Sequence, residues 1–302
     1  SNIENQTDYS ISLFDFKDQY DSFVLVLLFL KTEVASYFLD ILIEMIQIGF
    51  DSPLNQFTIL SLNIISQITQ FDNIDQIASQ IDFTTFLPIC LNFLNTEIQQ
   101  IQDESVRTIS DILAVIYQID DDRPNTYSKL SNYENFEIME FLNEIMNLIQ
   151  SNASFTQVIY LLSIVNNTIE YVSDFESIYP IFQFTYQLLK HQTEVNPNDC
   201  SISSSCEVIS TILKKETDGT FPSDEMQQLF ELLLNLRTTE NGDSAIYTIG
   251  FIASKLKDEF TPMLEETINT ALEFIDNETF VRPSIKCIQM VILFCNSGPA
   301  IE

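Results

Sequence analysis

The chain has 302 residues, of which 44 are Asp or Glu and 13 are Lys or Arg, giving a net charge of −31. That balance excludes nucleic acid as a direct partner and disfavours an anionic membrane surface, because both need a basic footprint. A hydrophobic content of 45% with 24 Phe excludes disorder, while only 5 Gly and 9 Pro argue against a β-sandwich or barrel.

Helical signals recur along the chain and strand signals do not. A helix before residue 30 is assigned to an incomplete first unit. Thr32 reads as the N-cap of a helix Glu33–Ile48, and Ser52-Pro53 opens a second helix running to about Thr69. Leu54, Phe57, Leu60, Ile64, Ile65 and Ile68 give that second helix an apolar stripe. The next pairs are Phe83–Asn95 with Asp103–Ile119, Glu134–Gln150 with Ser154–Val172, and Phe175–His191 with Asp199–Lys215. Ser223–Arg237 then pairs with Gly242–Leu256, and Glu259–Ile275 with Glu278–Cys295. Pro88, Pro180 and Pro262 fall inside first helices, early enough to bend them or to occupy their first turns.

First helices begin near 33, 83, 134, 175, 223 and 259, at steps of 50, 51, 41, 48 and 36. Drifting helix-pair steps of this size mark a HEAT or armadillo solenoid, whose period is ~40–47 residues. The expected fold is therefore all-α: a single α–α superhelix of about six pairs over 1–302, each pair burying its open face on its neighbours. Asp103 before Val106-Arg107, and Asp276 before Val281-Arg282, are expected to place an acid in the inter-helix turn and an Arg early in the second helix.

Cys90, Cys206, Cys287 and Cys295 sit in apolar helical runs and read as buried, reduced thiols of an intracellular protein. Cys200 and Cys206 lack C-x-x-C spacing and His191 is the only histidine, so no metal site is expected. The most apolar run, Phe23–Leu30, is short of the ~20 residues of a membrane span, and no signal peptide precedes it. The chain begins at Ser1 without a Met, so the natural protein is expected to be longer.

The stretch from Asp199 to Cys295 resembles the nuclear transport receptors of the importin-β family. The residues that carry the resemblance are Ser204 to Lys215 (SSCEVISTILKK), Asp243 to Gly250 (DSAIYTIG), Leu256 to Leu264 (LKDEFTPML) and Val281 to Cys287 (VRPSIKC). In that family a helix ending in Leu-Gly-Gly-Glu-Phe runs into a helix with an early Tyr or Pro and Met, much as Leu256 to Met263 does here. The similarity covers about a third of the chain. The resemblance implies a receptor segment, monomeric and shuttling between cytoplasm and nucleus. It would wrap basic import signals or an adaptor on its inner second helices, bind Phe-Gly nucleoporins between outer helices, and release cargo to Ran-GTP. The chain has no Trp, which that family's cargo surface commonly uses among its acids. The alternative is a HEAT-repeat scaffold of a cytoplasmic multiprotein complex, of phosphatase-scaffold or trafficking-adaptor type.

Several residues are candidates for such binding. Asp120, Asp121 and Asp122 open a polar loop and either attract Lys-rich cargo or form a solvated acidic loop; a D-x-D-x-D-G calcium spacing is absent. Glu97, Asp103, Glu104 and Asp111 accompany Arg107 as either an inner acidic patch for cargo or helix caps and pairing partners. Glu137, Glu140 and Glu144, Asp40 and Glu44, and Glu265, Glu266 and Glu273 load acid on first helices. Second helices instead carry Asn55, Asn63, Gln67, Gln157, Asn166 and Asn167, suited to clamping an extended peptide or simply to facing water. Helix 175–191 holds Tyr179, Phe182, Phe184 and Tyr186, more aromatics than one stripe absorbs. Phe184 and Tyr186 are the candidates for a nucleoporin pocket, core packing being the other reading. One histidine, isolated glycines and no nucleophile–base pairing give no catalytic centre, so neither an enzyme nor a cofactor is expected.

Overall fold

A computed structural model describes residues 35–70, 74–119, 127–151, 154–172, 174–215 and 221–295. The Thr32 cap, the start of the first helix at Glu33 and the helix expected before residue 30 lie outside them. The described residues are overwhelmingly helical and divide into two compact units, 1–136 and 137–302.

In the first unit, α1 (Ala35–Asp51) packs on α2 (Asn55–Ile68), and α2 packs in turn on α5 (Gln99–Ile116). Helix α2 starts two residues later than Ser52-Pro53 predicts. Leu54, in extended backbone, is its N-cap, and the Ser52 hydroxyl accepts from the Leu54 N–H instead of capping the helix itself. Leu54 is exposed and so leaves the packed stripe, whereas Leu62, Ile64, Ile65 and Ile68 are buried. The expected helix Phe83–Asn95 is split. A short α3 (Ile74–Ala78) precedes a 3-10 turn, Phe83–Phe86, and Pro88 sits in the first turn of α4 (Leu87–Phe93), where its missing N–H is not needed. Asp82 caps this turn through its carboxylate.

The expectation of no strands fails once. Helix α5 ends at Ile116 because Tyr117 turns extended, and β1 (Tyr117–Ile119) pairs antiparallel with β2 (Tyr127–Lys129), Tyr117 opposite Lys129 and Ile119 opposite Tyr127. Aromatic and β-branched residues at a helix end favour that exit. Tyr133 closes the unit: its buried hydroxyl donates to the Ile81 carbonyl at 3.1 Å and accepts from the Phe83 N–H at 3.4 Å. Burial pushes this phenol up to about 12.

The second unit is a run of helix pairs: α6 (Ile138–Gln150) with α7 (Phe155–Thr168), α8 (Phe175–Val195) with α9 (Cys200–Lys215), α10 (Ser223–Leu236) with α11 (Gly242–Leu256), and α12 (Leu264–Glu273) with α13 (Val281–Phe294). Neighbouring pairs meet through their second helices, α7 on α9, α9 on α11 and α11 on α13. Small residues permit this approach. Ser203 bonds Ser244 and Ser210 bonds Thr248 across α9 and α11, and a Cβ on Gly250 of α11 would stand 3.0 Å from the Cys287 Cα of α13. In the first unit Ser66 and Thr108 bridge α2 and α5 in the same way, 3.3 Å apart.

Ser154 caps α7 in a full capping box with Gln157, and Asp174 caps α8. Pro180 is accommodated inside α8, while Pro262 lies in a 3-10 segment, Lys257–Met263, that replaces the expected start of a helix at Glu259. Cys90, Cys206, Cys287 and Cys295 are buried free thiols and Cys200 is exposed.

Candidate functional site

Helix α8 carries three faces. Ile178, Ile181, Thr185, Leu189 and Gln192 are buried. Phe175, Tyr179, Phe182 and Tyr186, spaced by four, three and four, form a second face stacked along the helix. Phe221 stands edge-on to it, its ring 5.0 Å from Phe182, and the Tyr179 hydroxyl donates to both carboxylate oxygens of Glu225 on α10 at 2.9 Å. The third face, Phe184, Leu188, His191 and Val195 at the same spacing, turns away from those aromatics. The excess of aromatics in this helix is the signature of neighbours on more than one side.

That third face lines a cavity of about 450 Å³. Ile149 of α6 and Val158 of α7 join Phe184, Leu188 and Val195 as its apolar walls, while Gln150, Gln187 and His191 supply polar groups. Gln192, Asp199 and Ser201 complete the lining with a buried hydrogen-bond network. Asp199 precedes α9 and caps it, its Oδ1 accepting from the Ser201 N–H at 2.8 Å and the Ser201 hydroxyl at 2.7 Å. Gln192 donates to the Ser201 Oγ and accepts from the Ser205 hydroxyl, each at 2.8 Å. Asn241 of the next pair donates to the backbone carbonyls of Pro197 and Asp199, both at 3.0 Å, which fixes the α8–α9 turn. A pocket of this size with apolar walls and a few fixed polar groups has the make-up of a ligand site.

The two aromatic candidates part company. Phe184 is half-buried on the cavity wall, whereas Tyr186 is 7% exposed, stacked on Phe182 in the core, with its phenol pushed up by burial. Of the acidic candidates, Glu97 is exposed in the turn before α5 and Asp103 is exposed inside that helix, not in the turn as expected. Glu104 and Asp111 sit three and four residues from Arg107, whose guanidinium lies 3.8 Å from the Glu104 Oε2 and 3.9 Å from the Asp111 Oδ2. These two acids thus already face a cation of their own helix. Asp120, Asp121 and Asp122 lie outside the described residues.

The acids of the first helices, Asp40, Glu44, Glu140, Glu144, Glu265, Glu266 and Glu273, are exposed. On second helices the amide oxygens of Gln67 and Asn166 are buried with no hydrogen-bond partner. Sequence reading missed Asp199, Gln192 and the cavity they share with Phe184. Asp199 at the start of a helix was a legible cap signal, but only folding brings it against residues 184 to 195. No family model, curated protein or solved structure matches the chain.

Proposed function

We propose that the chain is a stretch of HEAT-type solenoid working as a protein-binding receptor segment of importin-β kind, and that the α6–α8 cavity takes the Phe side chain of a Phe-Gly nucleoporin segment. The observation that carries this reading is the cavity: apolar walls, Phe184 on one side, and a volume fit for one aromatic side chain with its flanking backbone. Two further features support it. Neighbouring pairs meet through second helices throughout the second unit, the arrangement a solenoid repeats. Lys257 holds a positive φ of 49° where the Leu-Gly-Gly-Glu-Phe motif of that family has its first Gly.

On this reading basic import signals or an adaptor meet the acids of α5 (Glu97 and Asp103, with Glu104 and Asp111 shared with Arg107) and of the 120–122 run, and Ran-GTP displaces them. The receptor shuttles between cytoplasm and nucleus. The net charge of −31 then steers cationic partners toward the surface. A scaffold reading draws on a different feature. Ile285, Ile292 and Leu293 of α13 are exposed, a surface that a stably bound subunit or a further helix pair would cover.

Calorimetric titration with a Phe-Gly peptide decides between them. The receptor reading expects saturable uptake that Phe184→Ala weakens roughly tenfold, as loss of a central aromatic contact does. No uptake, or uptake indifferent to Phe184, sinks it. A partner that co-purifies through α13 and ignores Ran-GTP favours the scaffold.

A further inference from the structure

We propose that the α6–α8 cavity selects an aromatic residue standing next to a Lys or Arg in an extended protein segment, with Asp199 receiving the cation. The inference rests on the reading of this cavity as an aromatic-segment site and adds a charge requirement that the reading lacks.

Asp199 is 6% exposed and lines the cavity, and its two carboxylate oxygens are used unequally. Oδ1 accepts both hydrogen bonds from Ser201, while Oδ2 receives none from any described residue. Neither Lys nor Arg is among the lining residues; the other polar members are glutamines, Ser201 and His191. A carboxylate oxygen beside apolar walls, with no cation of the protein next to it, gains more from an incoming donor than a surface acid does, since screening water is reduced there. The natural complement to one such carboxylate oxygen is a charged N–H donor, an ammonium or a guanidinium. The apolar walls, Phe184, Leu188 and Val195 among them, need an aromatic or aliphatic body attached to it. Arg or Lys adjacent to a Phe satisfies both, and the overall charge of −31 attracts such a segment.

The test uses three peptides of equal length in calorimetry: a neutral Gly-Phe-Gly core, the same core with Arg after Phe, and the Arg peptide with Phe replaced by Ala. Each is titrated into the native chain, Asp199→Asn, and Glu265→Gln, a control that removes one charge from exposed α12. Asn caps a helix as well as Asp does, and thermal melts check that the Asp199→Asn fold survives. The Phe-Arg peptide should bind about tenfold tighter than the neutral one, with the advantage lost in Asp199→Asn and kept in Glu265→Gln. In NMR of the native chain it should also shift the Ser201 and Gln192 amides more than the neutral peptide does, a readout that needs no variant. Equal affinity for the neutral and Phe-Arg peptides overturns this proposal and leaves the aromatic-segment reading intact. An advantage that survives Asp199→Asn assigns it to the general acidic surface and overturns the proposal. Equal binding of the Ala peptide also overturns it, and binding of none of the three overturns both readings.

Discussion

Ser210 of α9 and Thr248 of α11 hydrogen-bond hydroxyl to hydroxyl at 2.9 Å in a contact that water does not reach. The Thr248 hydroxyl also lies 2.7 Å from the Ser244 carbonyl of its own helix and 3.3 Å from the Cys206 carbonyl of α9, so it has partners in both helices. The pair therefore joins two helix pairs at a point where both side chains are small enough to let the backbones close.

Removing either partner should cost about 1–2 kcal/mol, the penalty for a buried polar group left without its partner. In urea denaturation Ser210→Ala and Thr248→Val should each lower the transition midpoint. The double variant should lose less than the sum of the two, because the shared bond is lost only once. Strict additivity would mean that the two hydroxyls do not interact.

Lys257 gives a second prediction. Its φ of 49° with ψ of −115° lies in a region that side chains avoid and glycine enters freely. The conformation breaks the chain direction between α11 and the 3-10 segment that leads to α12. Lys257→Gly should therefore stabilise the second unit by about 1 kcal/mol, relief of backbone strain outweighing the added freedom of the unfolded chain. Lys257→Val should do the reverse. Thermal melts of the two variants decide it, and a less stable Gly variant would show that the Lys side chain contributes more than its backbone costs.

Where local chemistry sets an element, the sequence was readable: α9, α10 and α11 begin within one residue of expectation. Where the outcome depends on competition between elements, it was not. Tyr117 leaves the helix because a partner strand, Tyr127–Lys129, is there to receive it, and nothing in residues 103 to 119 announces that partner. Likewise the prolines at 88 and 262 announced a disturbance but not its form, a 3-10 segment before or around each. The site divides the same way. Phe184 could be picked out because α8 holds more aromatics than one face can bury, but Tyr186, two residues on, points to the opposite side and joins the core. Asp199 and Gln192 meet in the cavity only through the fold of the α8–α9 turn, a juxtaposition with no one-dimensional signal.

Asp111 supplies the last prediction and separates two roles for the α5 acids. Burial holds its carboxyl above the ordinary carboxylate range, against the opposing pull of the Ser66 hydroxyl and the Arg107 guanidinium. A group whose pKa is raised on folding binds its proton more tightly in the native state. Its contribution to stability is present in full below the ordinary carboxylate pKa and is lost as pH rises through the higher native value. At pH 7 the ionised Asp111 is therefore a net cost to the fold. Asp111→Asn should melt at a higher temperature than the native chain at pH 7, and the two should converge as the pH falls to about 3, where both side chains are neutral. If instead the Asn variant is the less stable at pH 7, the ion pair with Arg107 outweighs burial and the acid is structural. A higher melting temperature together with weaker uptake of a Lys-rich peptide identifies an acid kept for binding at the expense of the fold.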